Sequence, residues 1–230
     1  MYLAPDGDEL EIASAAATYL ADTMPIERLH NANSADMDEA MRSSLAEMGW
    51  FSLALPEQDG GSGLTAVEHA LFFREVGRQC GPVDVLAQSL AANVAQDAAL
   101  RKAITGGEIG VALAISDGRN LRMLGAPDAS YVLLVERDVA QLLVAPQCET
   151  RSSLDPATSM RVLTSGPNGI AEVSGSHIWQ LGQLGTAAML VGLAEAALDQ
   201  IVEYAKVRET FGKKIGAWQA VRHPCADMAI

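Results

Sequence analysis

Apolar residues recur at three- and four-residue spacing through the first hundred positions. Leu10, Ala13, Ala17 and Leu20 share one face of a helix predicted over 8–23. Residues 36–48 form a second helix. Asp36 stands as N-cap with Glu39 three residues on, and Gly49 follows the end. A third helix covers 65–79, with Val67, Leu71 and Val76 as its apolar positions, and Gly81-Pro82 breaks it. An Ala-rich fourth helix runs over 86–105 to Gly106-Gly107. From Glu108 the period changes to short apolar runs, at 111–115, 131–135 and 141–144. Asp117-Gly118, Pro127-Asp128, 136–138, 153–156 and 166–169 read as the turns between and after them. These runs predict a small antiparallel sheet or barrel. From about Leu181 helical spacing returns, through Ala188, Val191, Ala194, Leu198 and Ile201 to Ala205. Phe211-Gly212 breaks that helix and another starts near Ala217. The pattern predicts an α+β chain: an all-α domain over 1–107, a β-sheet domain over 108–178, and the start of a second helical domain over 179–230. The sequence stops inside a helix without a cap, at Met228-Ala229-Ile230, so the second helical domain reads as truncated.

Composition adds few constraints. The chain is 49% hydrophobic and 20% charged, with a net charge of -13, a balance that argues against nonspecific nucleic-acid binding. Cys80, Cys148 and Cys225 lie far apart and suggest reduced thiols in an intracellular, cytoplasmic protein. Histidines 30, 69, 177 and 223 form no metal pattern. The acidic N-terminus (Asp6, Asp8, Glu9, Glu11) reads as neither signal nor transit peptide. No apolar run reaches the roughly 18 residues of a membrane span. Gly60, Gly61 and Gly63 lack the preceding strand and following Gly-Lys-Ser/Thr of a nucleotide loop.

Against this acidic background one segment is basic. Between Val202 and His223 five Lys/Arg (206, 208, 213, 214, 222) face two Glu (203, 209), which points to an anionic ligand or partner. The segment reads Tyr204-Ala205-x-x-Arg208-x-Thr210-Phe211-Gly212-x-x-Ile215-x-x-x-Gln219, followed by His223 and Ala226-Asp227-Met228. It resembles the signature helices of the acyl-CoA dehydrogenase family. Pro56-Glu57 with Gly60, Gly61 and Gly63 resembles a loop of that family's N-terminal domain, and Arg74 to Arg78 with Gly81-Pro82 a segment of its shorter members. The resemblance implies a helical, sheet, helical layout, with the last part cut short. It also implies a flavoenzyme that desaturates acyl-CoA thioesters, lipid or steroid thioesters among them. FAD would lie across a subunit interface of a homo- or hetero-oligomer (dimer or tetramer). Electrons would pass to an electron-transfer flavoprotein. Arg208 would reach the FAD pyrophosphate, with Thr210 adding a hydrogen bond, Phe211 packing near the adenosine and the Gln219 amide touching the dinucleotide.

Two family features are missing. The first strand of the sheet usually carries a Thr-Glu-Pro-x-x-Gly-Ser-Asp-like segment; here it reads Leu113-Ala114-Ile115-Ser116-Asp117-Gly118, with only Ser116 offering a hydroxyl. The Trp-x-Thr/Ser segment that usually follows is not recognisable. The carboxylate that takes the substrate α-proton lies beyond residue 230 in most members, and Glu195 and Glu203 read as solvated or ion-paired helix residues. The catalytic residues are therefore unknown from sequence. A second expectation follows: a degenerate subunit that completes the FAD site of a catalytic partner. A third class, a helical interaction protein with a β insert and no cofactor, leaves the Arg208–Gln219 spacing as coincidence.

Overall fold

The computed structural model describes residues 4–30, 36–116, 118, 120–146, 148, 150–151, 153, 158–163 and 168–229. The expected turns at Asp117 and over 154–156 and 166–167 lie outside the described residues.

Five helices come first. α1 (Gly7–Thr23) opens on a capping box, with the Glu9 amide donating to Asp6 at 3.0 Å and the Asp6 amide to Glu9 at 2.7 Å. Its buried residues are Ala16 and Leu20, one turn apart; Leu10, expected on the inner face, is exposed. α2 (Glu39–Glu47) starts later than predicted, because the cap is Asp38, which accepts from the Met41 amide at 2.7 Å. Asp36 is used elsewhere, accepting from the Ser159 amide and hydroxyl. α3 (Ala66–Arg78) begins on a second capping box, Thr65 with Glu68. It buries His69, Phe72, Phe73 and Val76. The expected Val67 points outward. Trp50 stacks on Phe72 at 4.9 Å, and Phe72 meets Phe73 edge-on at 5.1 Å. The predicted single helix over 86–105 is two, α4 (Val83–Val94) and α5 (Ala98–Thr105). Ala95 turns extended and Asp97 caps the second helix through the Leu100 amide at 2.8 Å. α4 is buried almost all round, as an Ala- and Leu-rich helix at the centre of a domain should be.

The sheet has seven strands: β1 (Val111–Ser116), β2 (Leu121–Leu124), β3 (Tyr131–Glu136), β4 (Val139–Val144), β5 (Thr150–Arg151), β6 (Met160–Leu163) and β7 (Gly169–Ser174). Their order is β5-β6-β2-β1-β3-β4-β7. The sheet is not wholly antiparallel, because β1 and β3 pair in parallel, Leu113 opposite Leu133. β1, β3 and β4 read as unbroken apolar runs because both faces are covered. Val111, Leu133 and Leu142 join the helical core, while Ala112, Val132 and Leu143 join a second core on the other side. The buried Gln88 of α4 fixes where β1 starts: its amide donates to the carbonyls of Ile104 (2.8 Å) and Ile109 (2.6 Å) and accepts from the Val111 amide (3.0 Å).

A buried carboxylate joins helices to sheet. Asp84, in the first turn of α4, accepts from the amides of Ala126 (2.7 Å) and Met37 (3.2 Å). Gly125, at φ 71°, lies so close that a Cβ there would fall 1.5 Å from Asp84 Oδ1. Arg161 grips the other side of the same loop, donating to the carbonyls of Gly125, Ala126 and Pro127 at 2.7–3.1 Å. Burial pushes the Asp84 carboxyl up to about 7, with Asp36 adding to the shift and the two amides opposing it.

α6 (His177–Val207) then runs for 31 residues. It crosses α3 with the two backbones in contact: a Cβ on Gly77 would fall 2.0 Å from the Met189 carbonyl, and one on Gly192 1.9 Å from that of Arg74. Arg74 chelates Glu195 through two bonds of 2.8 and 2.9 Å, and Arg78 bridges Glu195 (3.3 Å) and Asp199 (2.5 Å). α6 also corrects the expectation that no apolar run is of membrane length: by length and composition it is long and apolar enough to cross one. In the fold it lies along α3 instead. Its outer residues Leu190, Val191 and Leu193 are exposed. Beyond it come β8 (Glu209–Thr210), β9 (Lys213–Lys214) and α7 (Gln219–Met228), which contains Pro224.

Candidate functional site

Two features stand at opposite ends of α6. The first is a cleft of about 710 Å³. Leu86 and Leu90 of α4 line it, together with Leu113 to Ser116 of β1 and the end of β3 from Leu134 through Glu136 to the following Arg137. α6 closes the cleft with Trp179, Gly182, Gln183, Thr186, Ala187 and Leu190, the stripe that a 3.6-residue period puts on one face. The lining is mostly aliphatic with a few polar groups, the usual make-up of a small-molecule site. The Gly118 amide donates to Ser116 Oγ at 3.2 Å, which leaves the hydroxyl proton free to donate elsewhere. Glu136 and Arg137 are exposed, and among the described residues no hydrogen bond or ion pair engages the Arg137 guanidinium.

His69 sits in the α3–α6 contact, fully buried, 4.6 Å from the Phe73 ring. Neither ring nitrogen has a hydrogen-bond partner. Burial lowers its pKa to about 4; the Leu181 carbonyl opposes this slightly without reaching hydrogen-bond geometry.

The second feature is the hairpin that ends α6. Arg208 leaves the helix in extended conformation, and the Ile215 amide donates back to its carbonyl at 2.8 Å. Between the paired Thr210 and Lys213, Phe211 (φ 52°) and Gly212 (φ 73°) are both left-handed, as a two-residue turn of the I′ kind requires. Glycine adopts this freely. For phenylalanine the left-handed conformation costs about 1–2 kcal/mol. Phe211 is also 94% exposed, so nothing in this chain offsets that strain by packing. Lys214 is held by Glu209 at 2.7 Å and Lys206 by Glu203 at 2.5 Å, while Lys213 lies 5.6 Å over the Trp218 ring. Arg208 and Arg222 are exposed, and among the described residues no ion pair or hydrogen bond engages either guanidinium.

Arg208, Thr210 and Phe211 therefore stand on one hairpin, and Gln219 opens the helix after it. The sequence reading did not anticipate the cleft's α6 stripe: Trp179, Gln183 and Thr186 mix aromatic, polar and small types and read as ordinary helix residues. Glu195 is held by Arg74 and Glu203 by Lys206, which accounts for both as ion-paired helix residues. From Thr186 to Arg208 the helix rises about 33 Å at roughly 1.5 Å per residue. The hairpin cannot reach into the cleft at the other end of its own helix.

Helices on one side, a central sheet, a long helix returning over a cleft and a cationic hairpin together define a protein class of three parts. Comparison with known proteins identifies that class. The model of the acyl-CoA dehydrogenase N-terminal domain matches residues 6–103 and that of the C-terminal domain residues 177–230. The chain belongs to the acyl-CoA dehydrogenase family. It is 34% identical over 236 residues to the acyl-CoA dehydrogenase FadE34 of Mycobacterium tuberculosis, covering 94% of this chain and 33% of that protein. To the acyl-CoA dehydrogenase IpdE2 of the same organism it is 31% identical, covering 84% of this chain and 61% of the relative. The chain thus spans a third of the first relative and about three fifths of the second. Among solved structures, a variant of the Tcur3481–Tcur3483 steroid ACAD aligns with TM-score 0.75 at 22% identity, over 96% of this chain and 72% of that one. An FAD complex of PigA aligns with the same TM-score at 17% identity, over 100% and 76%. At these identities the structural likeness speaks for the fold.

Proposed function

We propose that this chain is a subunit of a flavin-dependent acyl-CoA dehydrogenase and works in an oligomer in which each FAD is shared between subunits. The observation that carries this is the separation of the two features along α6. A cleft suited to a ring and an acyl chain lies at one end. Free cations suited to a pyrophosphate lie about 33 Å away at the other, by the helical rise. Sharing between subunits reconciles them.

The residues fit the two ends of the cofactor differently. Arg208 carries a permanent charge, unpartnered among the described residues, with the planar donor fork that phosphate oxygens accept, and Lys213 adds a second cation on the same hairpin. In this reading Thr210 on the hairpin and Gln219 at the start of α7 supply neutral hydrogen-bonding groups, and Phe211 an aromatic face. In the cleft, Ser116 Oγ–H, the Gln183 amide and the Thr186 hydroxyl are the neutral polar groups among apolar walls. They orient a bound thioester or flavin ring while Leu86 and Leu90 exclude water. Bound FAD supplies the acceptor for the hydride removed from the acyl β-carbon. The accompanying α-proton needs a carboxylate. Glu136, the only carboxylate among the described lining residues, stands at the exposed rim, and in this reading the base is supplied from outside the described cleft.

A different observation favours a second reading. β1 ends in Ile115 and Ser116, without the residues by which the family usually holds the flavin ring, while the hairpin is complete. In that reading the chain completes the flavin site of a catalytic partner and is inactive alone. On either reading the substrate class is an acyl-CoA, steroid thioesters included, which the names of the acyl-CoA dehydrogenase relatives and of the steroid ACAD neighbour support, and the electron acceptor is an electron-transfer flavoprotein. Arg208→Ala tests the cofactor assignment. Flavin content of the purified assembly should drop severalfold with the fold unchanged by circular dichroism, and undiminished flavin would overturn it.

A further inference from the structure

Four glycines lie where α6 meets the helices beneath it, and packing explains three of them. Gly77 and Gly192 sit against backbone carbonyls at the α3–α6 crossing. A Cβ on Gly185 would meet Leu86 at 2.7 Å and the His69 ring at 3.0 Å. Gly182 is different. Among the described residues only Leu90 Cδ1, the end of a flexible side chain, would lie within 4 Å of a Cβ there, at 3.2 Å. The protein interior would accept alanine at this position, and glycine inside a helix costs about 0.5–1 kcal/mol relative to alanine. Leu90 lies on the floor of the cleft and Gly182 on its wall, so a side chain at 182 would enter the cleft. The Thr186 hydroxyl donates to the Gly182 carbonyl at 2.8 Å, one helical turn back. Ala114 and Ala187 keep the neighbouring walls low as well.

We propose that Gly182 sets the width of the cleft and reserves room for a bulky, ring-bearing acyl group rather than a straight chain. The inference rests on the acyl-thioester reading above. A wide apolar space favours a rigid ring, which fills it without the rotamer entropy that a flexible chain loses on binding. Helix stability is given up at 182 for an opening that only a ligand can use.

Trp179 lines the same cleft, so its fluorescence reports occupancy without flavin or turnover, with Trp179→Phe as the blank. The probes are octanoyl-CoA and adamantylacetyl-CoA, a chain and a cage. Both should quench the wild-type protein. Gly182→Val should weaken the cage by about tenfold or more and the chain by much less, the range one or two methyl groups command in a tight apolar pocket. Gly182→Ala should shift the same ratio less and in the same direction, which keeps the test valid if valine unfolds the helix. Gly182→Ala should melt no lower than wild type, whereas Gly185→Ala should melt lower. Quenching by both probes with an unchanged ratio in the variants overturns the role of Gly182 alone. Failure of the cage alone to quench the wild-type protein overturns the inference, and failure of both probes overturns the acyl-thioester reading with it.

Discussion

The two ends of α6 obey different physics. From the cleft through its middle the helix is fixed: it lies on α3 with backbone touching backbone, and paired arginines hold Glu195 and Asp199. At the hairpin end, Ile201, Tyr204, Val207 and Phe211 are exposed, and two arginines carry unpaired charge among the described residues. The first part is packed within one chain, and the second has the character of a surface that meets something else. A strained, exposed Phe211 belongs to the second kind, since left-handed backbone at a bulky residue persists where function holds it.

Substitutions should respect that division. Gly192→Ala drives a methyl group into the Arg74 carbonyl and should cost about 3 kcal/mol or more, or prevent folding. A thermal melt close to wild type would show that the crossing is looser than described. A pH scan probes the same contact. His69 has its pKa lowered from 6.5 to about 4, so the folded state binds fewer protons than the unfolded one between those values. Stability from this site is present above pH 6.5 and lost as pH falls towards 4. Asp84 acts oppositely: its pKa is raised from 3.8 to about 7, so its contribution is present below 3.8 and lost as pH rises through 7. His69→Leu should therefore flatten the acid limb of the melting-temperature profile and Asp84→Asn the limb towards neutrality. Parallel profiles in wild type and variant would refute either assignment.

At the hairpin the signs reverse. Phe211→Gly relieves left-handed strain and should stabilise the free chain by about 1 kcal/mol while weakening assembly. A lower melting temperature would mean that Phe211 is supported by packing after all. Arg74→Ala should cost about 1 kcal/mol, less at high salt, because Arg74 and Glu195 are each more than a third exposed. Arg208→Ala should change stability by less than about 0.5 kcal/mol, as for an unpaired surface cation, despite its effect on flavin.

Much of the architecture was legible in the apolar pattern. β1, β3 and β4 lie where short apolar runs replace helical spacing, and Gly81-Pro82 ends α3 as read. The break at 95–97 was missed because Ala95-Gln96-Asp97 contains neither glycine nor proline, and only the Asp97 cap marks it. The parallel pairing of β1 with β3 was missed because a run's period fixes that it is a strand, not which neighbour it takes. The Asp36 cap failed because a tertiary partner, Ser159, outbid the local amide, leaving Asp38 to cap α2. For the site, contiguous spacing made the hairpin visible. The cleft draws on α4, β1, β3 and α6, and no local pattern announces residues that meet only in the fold.

On the proposed reading the cationic hairpin and the cleft at the ends of α6 serve different cofactor sites, so flavin binding and assembly are one event. Sedimentation velocity of the FAD-loaded protein, read at the flavin's visible band and at the protein band across a dilution series, tests this directly. The account predicts that flavin sediments only with dimers or larger species, formed by this chain alone or with its partner subunit, and is released as they dissociate. Flavin that stays with the monomer through dilution, or binds to no species, would contradict it.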